Sequence, residues 1–64
     1  MRKLNYYKIK LHNYDIDKFL FICNNLEFNI VSVMCAKDNY IAVYKGRYKI
    51  TNIDELYWMI MEGE

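Results

Sequence analysis

Few residues in this chain have side chains capable of chemistry, and their spacing limits what they could do. There is one histidine, His12, and two cysteines, Cys23 and Cys35. Carboxylates cluster at Asp15/Asp17 and Asp54/Glu55, and the isolated hydroxyls include Ser32 and Thr51. One histidine and two separated thiols match no zinc-ligand spacing, so no metal or cofactor is expected. Both carboxylate pairs stand at expected helix starts, where capping and the helix dipole account for negative charge without a role as acid and base. Neither hydroxyl has a base beside it. With only two glycines, Gly46 and Gly63, the chain has no phosphate-cradling loop. The expectation is a protein that is not an enzyme.

His12 ends an alternating stretch just before helix-start residues, a junction similar to that of the small histidine phosphocarriers. The likeness covers that junction only. Asn13-Tyr14-Asp15-Ile16 follow the histidine where the carriers have arginine and proline, and Asp15 and Asp17 oppose a phosphoryl donor.

The elements follow from periodicity. Arg2 to His12 alternates, with Asn5, Tyr7, Ile9 and Leu11 on one face and Tyr6, Lys8, Lys10 and His12 on the other, the pattern of a half-buried strand. Asn13 to Asp15 supplies helix-start chemistry. Ile16, Phe19, Leu20, Cys23 and Leu26 then form an apolar helical stripe. Phe28 to Ala36 is β-branched and apolar at both parities, which predicts an interior strand or one covered on its second face. Lys37-Asp38-Asn39 is a turn whose loop length sets the facing of Val31, Val33 and Cys35.

From Tyr40 to Ile50, a two-residue turn at Lys45-Gly46 pairs Val43 with Tyr48 and Ile41 with Ile50. That hairpin turns Ile41, Val43, Tyr48 and Ile50 inward and Ala42, Tyr44, Arg47 and Lys49 outward, with Gly46 at the positive φ of a primed turn. Thr51 or Asn52 caps a last helix with inward stripe Ile53, Leu56, Tyr57 and Ile60, fraying over Glu62-Gly63-Glu64. The predicted fold is α+β: one domain over 1–64, a small two-layer sandwich in the order β-α-β-β-β-α. Its sheet is mainly antiparallel, with two helices on one face. If Lys45-Gly46 is instead a bulge, the order is β-α-β-β-α, a ferredoxin-like unit missing its last strand.

At 64 residues the chain sits near the lower limit for an unaided core, yet 55% hydrophobic and 17% aromatic content excludes disorder. No apolar run approaches the ~18 residues of a membrane span. The opening MRKLNYYKIK has no signal-peptide core, and both cysteines sit in apolar segments, so a reduced, cytoplasmic protein is expected.

Net charge is only +1, but it is segregated. Eight of the nine bases fall in strands and turns, and seven of the eight acids fall in the helices or at their ends. An outward sheet face carrying Lys8, Lys10, Arg47 and Lys49 beside Tyr6 and Tyr44 suits phosphate contact and base stacking. Phe21 and Trp58 fall opposite their helices' inward stripes, and outward aromatic side chains are interface residues. The leading expectation is a protein-binding module anchored by Trp58, Phe21, Tyr6, Tyr44 and Arg47. Size and biased composition suggest a phage or mobile-element inhibitor of a host defence nuclease, anti-CRISPR-like, acting by surface occlusion. A homodimer is a further expected partner, and a nucleic-acid-binding domain using Lys8, Lys10, Arg47 and Lys49 is the alternative.

Overall fold

The computed structural model describes residues 3–63; Arg2, expected to begin the first strand, and Glu64, expected to fray, lie outside them. Five main elements follow in the order β-α-β-β-α: β1 (Asn5–His12), α1 (Ile16–Leu26), β2 (Asn29–Ala36), β3 (Asn39–Gly46) and α2 (Ile53–Glu62). A single 3-10 turn, Asn13–Asp15, joins β1 to α1. The sheet order is β1-β3-β2, with β3 antiparallel to both neighbours. β1 and β2 therefore run parallel with β3 between them, the split βαβ of a ferredoxin-like unit. The α+β sandwich is present, in the shorter of the two expected orders.

The expected hairpin at Lys45-Gly46 does not form. β3 already has a strand on each side, so a fourth strand has no free edge beside it. Gly46 is not at positive φ either, as the primed turn requires. It is glycine for another reason: a Cβ there would sit 2.9 Å from Cγ and Cδ1 of the Phe28 ring.

Loss of the hairpin inverts the expected facing of β3. Register sets Tyr7 opposite Tyr44, Ile9 opposite Ala42 and Leu11 opposite Tyr40, and these share the helix side of the sheet. Ala42 and Tyr44 are fully buried, whereas Ile41 and Val43 face the open side. The core comprises Leu11, Phe19, Ile22, Cys23, Phe28, Ala42, Tyr44 and Ile50, with Ile53, Leu56, Tyr57 and Ile60 of α2 packed against it as their spacing predicts. In α1, Ile22 belongs to the core and Leu20, expected inside, is 43% exposed.

Tyr44 organises this core. Its ring lies against Phe28 (5.5 Å, near-parallel), Tyr7 (5.6 Å) and Phe19 (5.7 Å, edge-on). Its hydroxyl accepts the Ile50 N–H at 2.6 Å and donates to the Tyr48 carbonyl at 3.3 Å, drawing the segment after β3 back over the core. That draws Ile50 inside without strand pairing.

Local chemistry fixes the ends. α1 stops at Glu27 in the left-handed region (φ 60°, ψ 36°), where the Phe28 N–H reaches the Cys23 carbonyl at 2.9 Å. That is the Schellman bond, and Phe28 and Cys23 are also core neighbours. Asn52, of the two expected caps, closes α2 by accepting the Glu55 N–H at 3.0 Å. The β2–β3 loop has two residues, Lys37 (φ 54°) and Asp38, and the Asp38 carbonyl accepts the Asn13 N–H at 3.0 Å.

Candidate interaction surfaces

Three surfaces follow from this arrangement. The first is the solvent side of α2. Trp58 is 54% exposed and leans edge-on against Tyr57 at 5.4 Å. Met59 and Met61 are exposed beside it. Met61 lies one turn along from Trp58, the i,i+3 spacing that makes helix neighbours. Met59 also lines a shallow groove of about 170 Å³ with Tyr48, Lys49, Ile50, Thr51, Asn52, Glu55 and Leu56. Phe21, expected outward, is instead half-buried between the helices, edge-on to Tyr57 at 5.2 Å. Its departure from the surface has a clear cause: α1 and α2 pack through wider faces than a single stripe. Lys18 closes the same seam, bonded to the Asp54 carboxylate at 2.7 Å and lying 5.5 Å from the Tyr57 ring centre. The hydrogen bond to Asp54 raises its pKa above the ordinary lysine value.

The second surface is the sheet's open side. It presents Tyr6, Lys8, Lys10 and His12 from β1, Asn39, Ile41, Val43 and Lys45 from β3, and Ser32 and Met34 from β2. Lys8 and Lys10 are exposed on it as their alternation predicts, and no acid lies on its paired positions. Lys45 sits over the Tyr6 ring at 5.4 Å. Two expected members are elsewhere. Arg47 follows the end of β3 and lies 5.5 Å from the Phe28 ring, on the edge of the core, and Lys49 lines the groove beside α2. Both were assigned to the face by the hairpin. Tyr44, expected as an outward anchor, is fully buried for the same reason and offers nothing to a partner.

The third surface is β2, which the sequence reading placed inside. It is an edge strand, exposed at all eight positions. Ile30, Val31, Val33 and Met34 are 38%, 55%, 40% and 61% exposed. Neither helix covers it, because the core packs α1 and α2 over β1 and β3. A one-residue irregularity between Ile30 and Ser32 leaves Val31 without a partner on β3. β2 lies at the edge because β3 stands between it and β1, a long-range pairing that local pattern does not encode.

The remaining chemical groups are dispersed. His12 is exposed and stacks on Tyr14 at 5.2 Å. Cys23 is buried, which pushes its thiol up to about 11, while Cys35 is exposed on β2. Among the described residues no three His, Cys, Asp or Glu side chains gather as metal ligands, and no helix is long and apolar enough to cross a membrane. No protein-family model, curated protein or solved structure matches the chain.

Proposed function

We propose that this chain is a protein-binding module without catalytic activity, which acts by covering a partner's surface with the solvent side of α2. The observation that carries this reading is Trp58, more than half exposed beside Met59 and Met61 on a domain small enough to need its large side chains inside. Tryptophan is a preferred interface anchor, and truncating such an anchor costs ~2 kcal/mol or more, about thirtyfold in affinity. The partner class suggested by size and composition is a host defence nuclease, blocked by occlusion. The test is affinity capture with the tagged chain, followed by titration of the captured protein. A stoichiometric, salt-insensitive complex that weakens at least about thirtyfold in Trp58→Ala supports the reading. For the nuclease assignment, cleavage by the captured enzyme must stop at one equivalent of the chain. Undiminished binding by Trp58→Ala, in a variant that still folds, removes the proposal.

One observation favours a second reading. The open face of the sheet bears Lys8, Lys10 and Lys45 with Tyr6 and no acid, a layout suited to single-stranded nucleic acid. Three phosphate contacts imply that log K falls with log salt at a slope of roughly −2. Lys8→Glu with Lys45→Glu should abolish that binding. Absence of oligonucleotide binding at low salt excludes it.

A further inference from the structure

Both outer strands of the sheet have an unpaired edge, but they are not equivalent. β1 carries Lys8 and Lys10 at its middle, charges that guard an edge against pairing with another copy. Antiparallel pairing of β1 with itself about Ile9 would set Lys8 opposite Lys10. β2 has no such guard. From Phe28 through Ala36 there is no charged residue and no proline, and every position of the strand is exposed.

We infer that β2 is a self-association edge, through which two copies pair antiparallel about a two-fold axis and extend the three-stranded sheet to six strands. The irregularity at Val31 selects the register. Alternation is regular only from Ser32 to Ala36, where Val33 and Cys35 share the helix side with Ala42 and Tyr40, and Ser32 and Met34 share the open side with Val43 and Ile41. A two-fold normal to the sheet keeps each side with its own kind. Centred on Met34, it sets Met34 against Met34 of the other copy and Ser32 against Ala36 on the open side. On the helix side it sets Val33 against Cys35. Past the strand end, Lys37 and Asp38 fall beside Val31 and Ile30 of the other copy, so no like charges meet.

A second copy fits better than a charged segment of another protein. The edge offers no ion-pair partner to such a segment, while it meets itself without a like-charge penalty. A standard interface takes about 800 Å² per partner, about a sixth of the 4873 Å² here, so pairing through one eight-residue edge makes a smaller, concentration-dependent contact. Extension of the sheet would also set the apolar side chains that the two helices leave open beside their counterparts of the other copy. This pairing is independent of the α2 face.

The test is the mass in solution over a range of concentrations, by sedimentation or light scattering, with reductant present so that Cys35 cannot imitate the contact by a disulfide. The wild-type chain should double from its 7.9 kDa as concentration rises. Met34→Lys and Met34→Glu each set like charges across the axis and should each weaken dimerisation by up to about fivefold, the size expected for opposed like charges in a sheet. An equimolar mixture of the two variants should restore the dimer. Met34 is 61% exposed, so both variants should fold, which circular dichroism verifies. Trp58→Ala should leave the dimer intact, separating this contact from the α2 face. The inference is overturned if the wild type stays monomeric at every concentration, if either charged variant dimerises as the wild type does, or if the mixture fails to recover.

Discussion

Tyr44→Phe is the perturbation that tests the core most directly. It removes one oxygen and keeps the ring, so the packing against Phe28, Tyr7 and Phe19 is retained. What it takes away is the acceptor of the Ile50 N–H, bound at 2.6 Å, and a weaker bond to the Tyr48 carbonyl at 3.3 Å. Ile50 is only 3% exposed, so water cannot replace the lost acceptor. Leaving a buried donor unsatisfied costs about 1–3 kcal/mol. A domain of this size has a total stability of roughly 3–10 kcal/mol, so the loss is a large fraction of it. Each kcal/mol lowers Tm by about 4–8 °C in a domain of 60–100 residues. Urea and thermal unfolding measure the cost, and amide exchange localises it, with Ile50 losing protection first. Tyr6→Phe is the control: 66% exposed, it should stay within about 0.5 kcal/mol of the wild type. If Tyr44→Phe also stays within that range, the hydroxyl does not hold the segment after β3 and the account of the core is wrong.

Gly46→Ala should destabilise by about 1–3 kcal/mol, because its Cβ meets the buried Phe28 ring at 2.9 Å and the ring is backed by Tyr44. Denaturant midpoints measure this, and an unchanged midpoint would mean that the ring has room to move. Glu27→Gly should stabilise by about 0.5–1 kcal/mol, since glycine relieves the left-handed conformation that ends α1; a lower Tm in this variant contradicts the Schellman end. Burial raises the Cys23 thiol from its ordinary 9.0 to about 11, so the unfolded chain ionises first as pH rises. The associated stability is complete below pH 9.0 and is lost as pH climbs to about 11, and Cys23→Ala should lack that part of the alkaline loss seen in unfolding curves across this range.

Much of the local structure was legible in the residues themselves. The period-2 alternation before His12 placed Tyr7, Ile9 and Leu11 inward, and the helical spacing of Ile53, Leu56, Tyr57 and Ile60 gave the packed face of α2. Asn52 was identified as one of two caps because the capping bond needs only four consecutive residues. These are short-range properties, and short-range rules recover them. The interaction surfaces were less accessible. Trp58, Tyr6, Lys8 and Lys10 lie on the surface as expected, but Phe21 is half-buried between the helices and Arg47 lies at the core's edge.

What the sequence could not decide was the partner of each strand, because pairing depends on residues far apart in the chain. Ile41, Val43, Tyr48 and Ile50 make a consistent inner face for a hairpin, and nothing local speaks against it. Tertiary structure rules it out by giving β3 two neighbours, β1 and β2, and with them the opposite facing. That one choice buries Tyr44, removes Arg47 and Lys49 from the lysine-bearing face and explains Gly46 by a ring in contact instead of a turn. It also turns β2, by composition the most interior of the strands, into an exposed edge. Local periodicity thus determined the elements, while the sheet order, through the competition of strands for β3, decided which surfaces are left to bind.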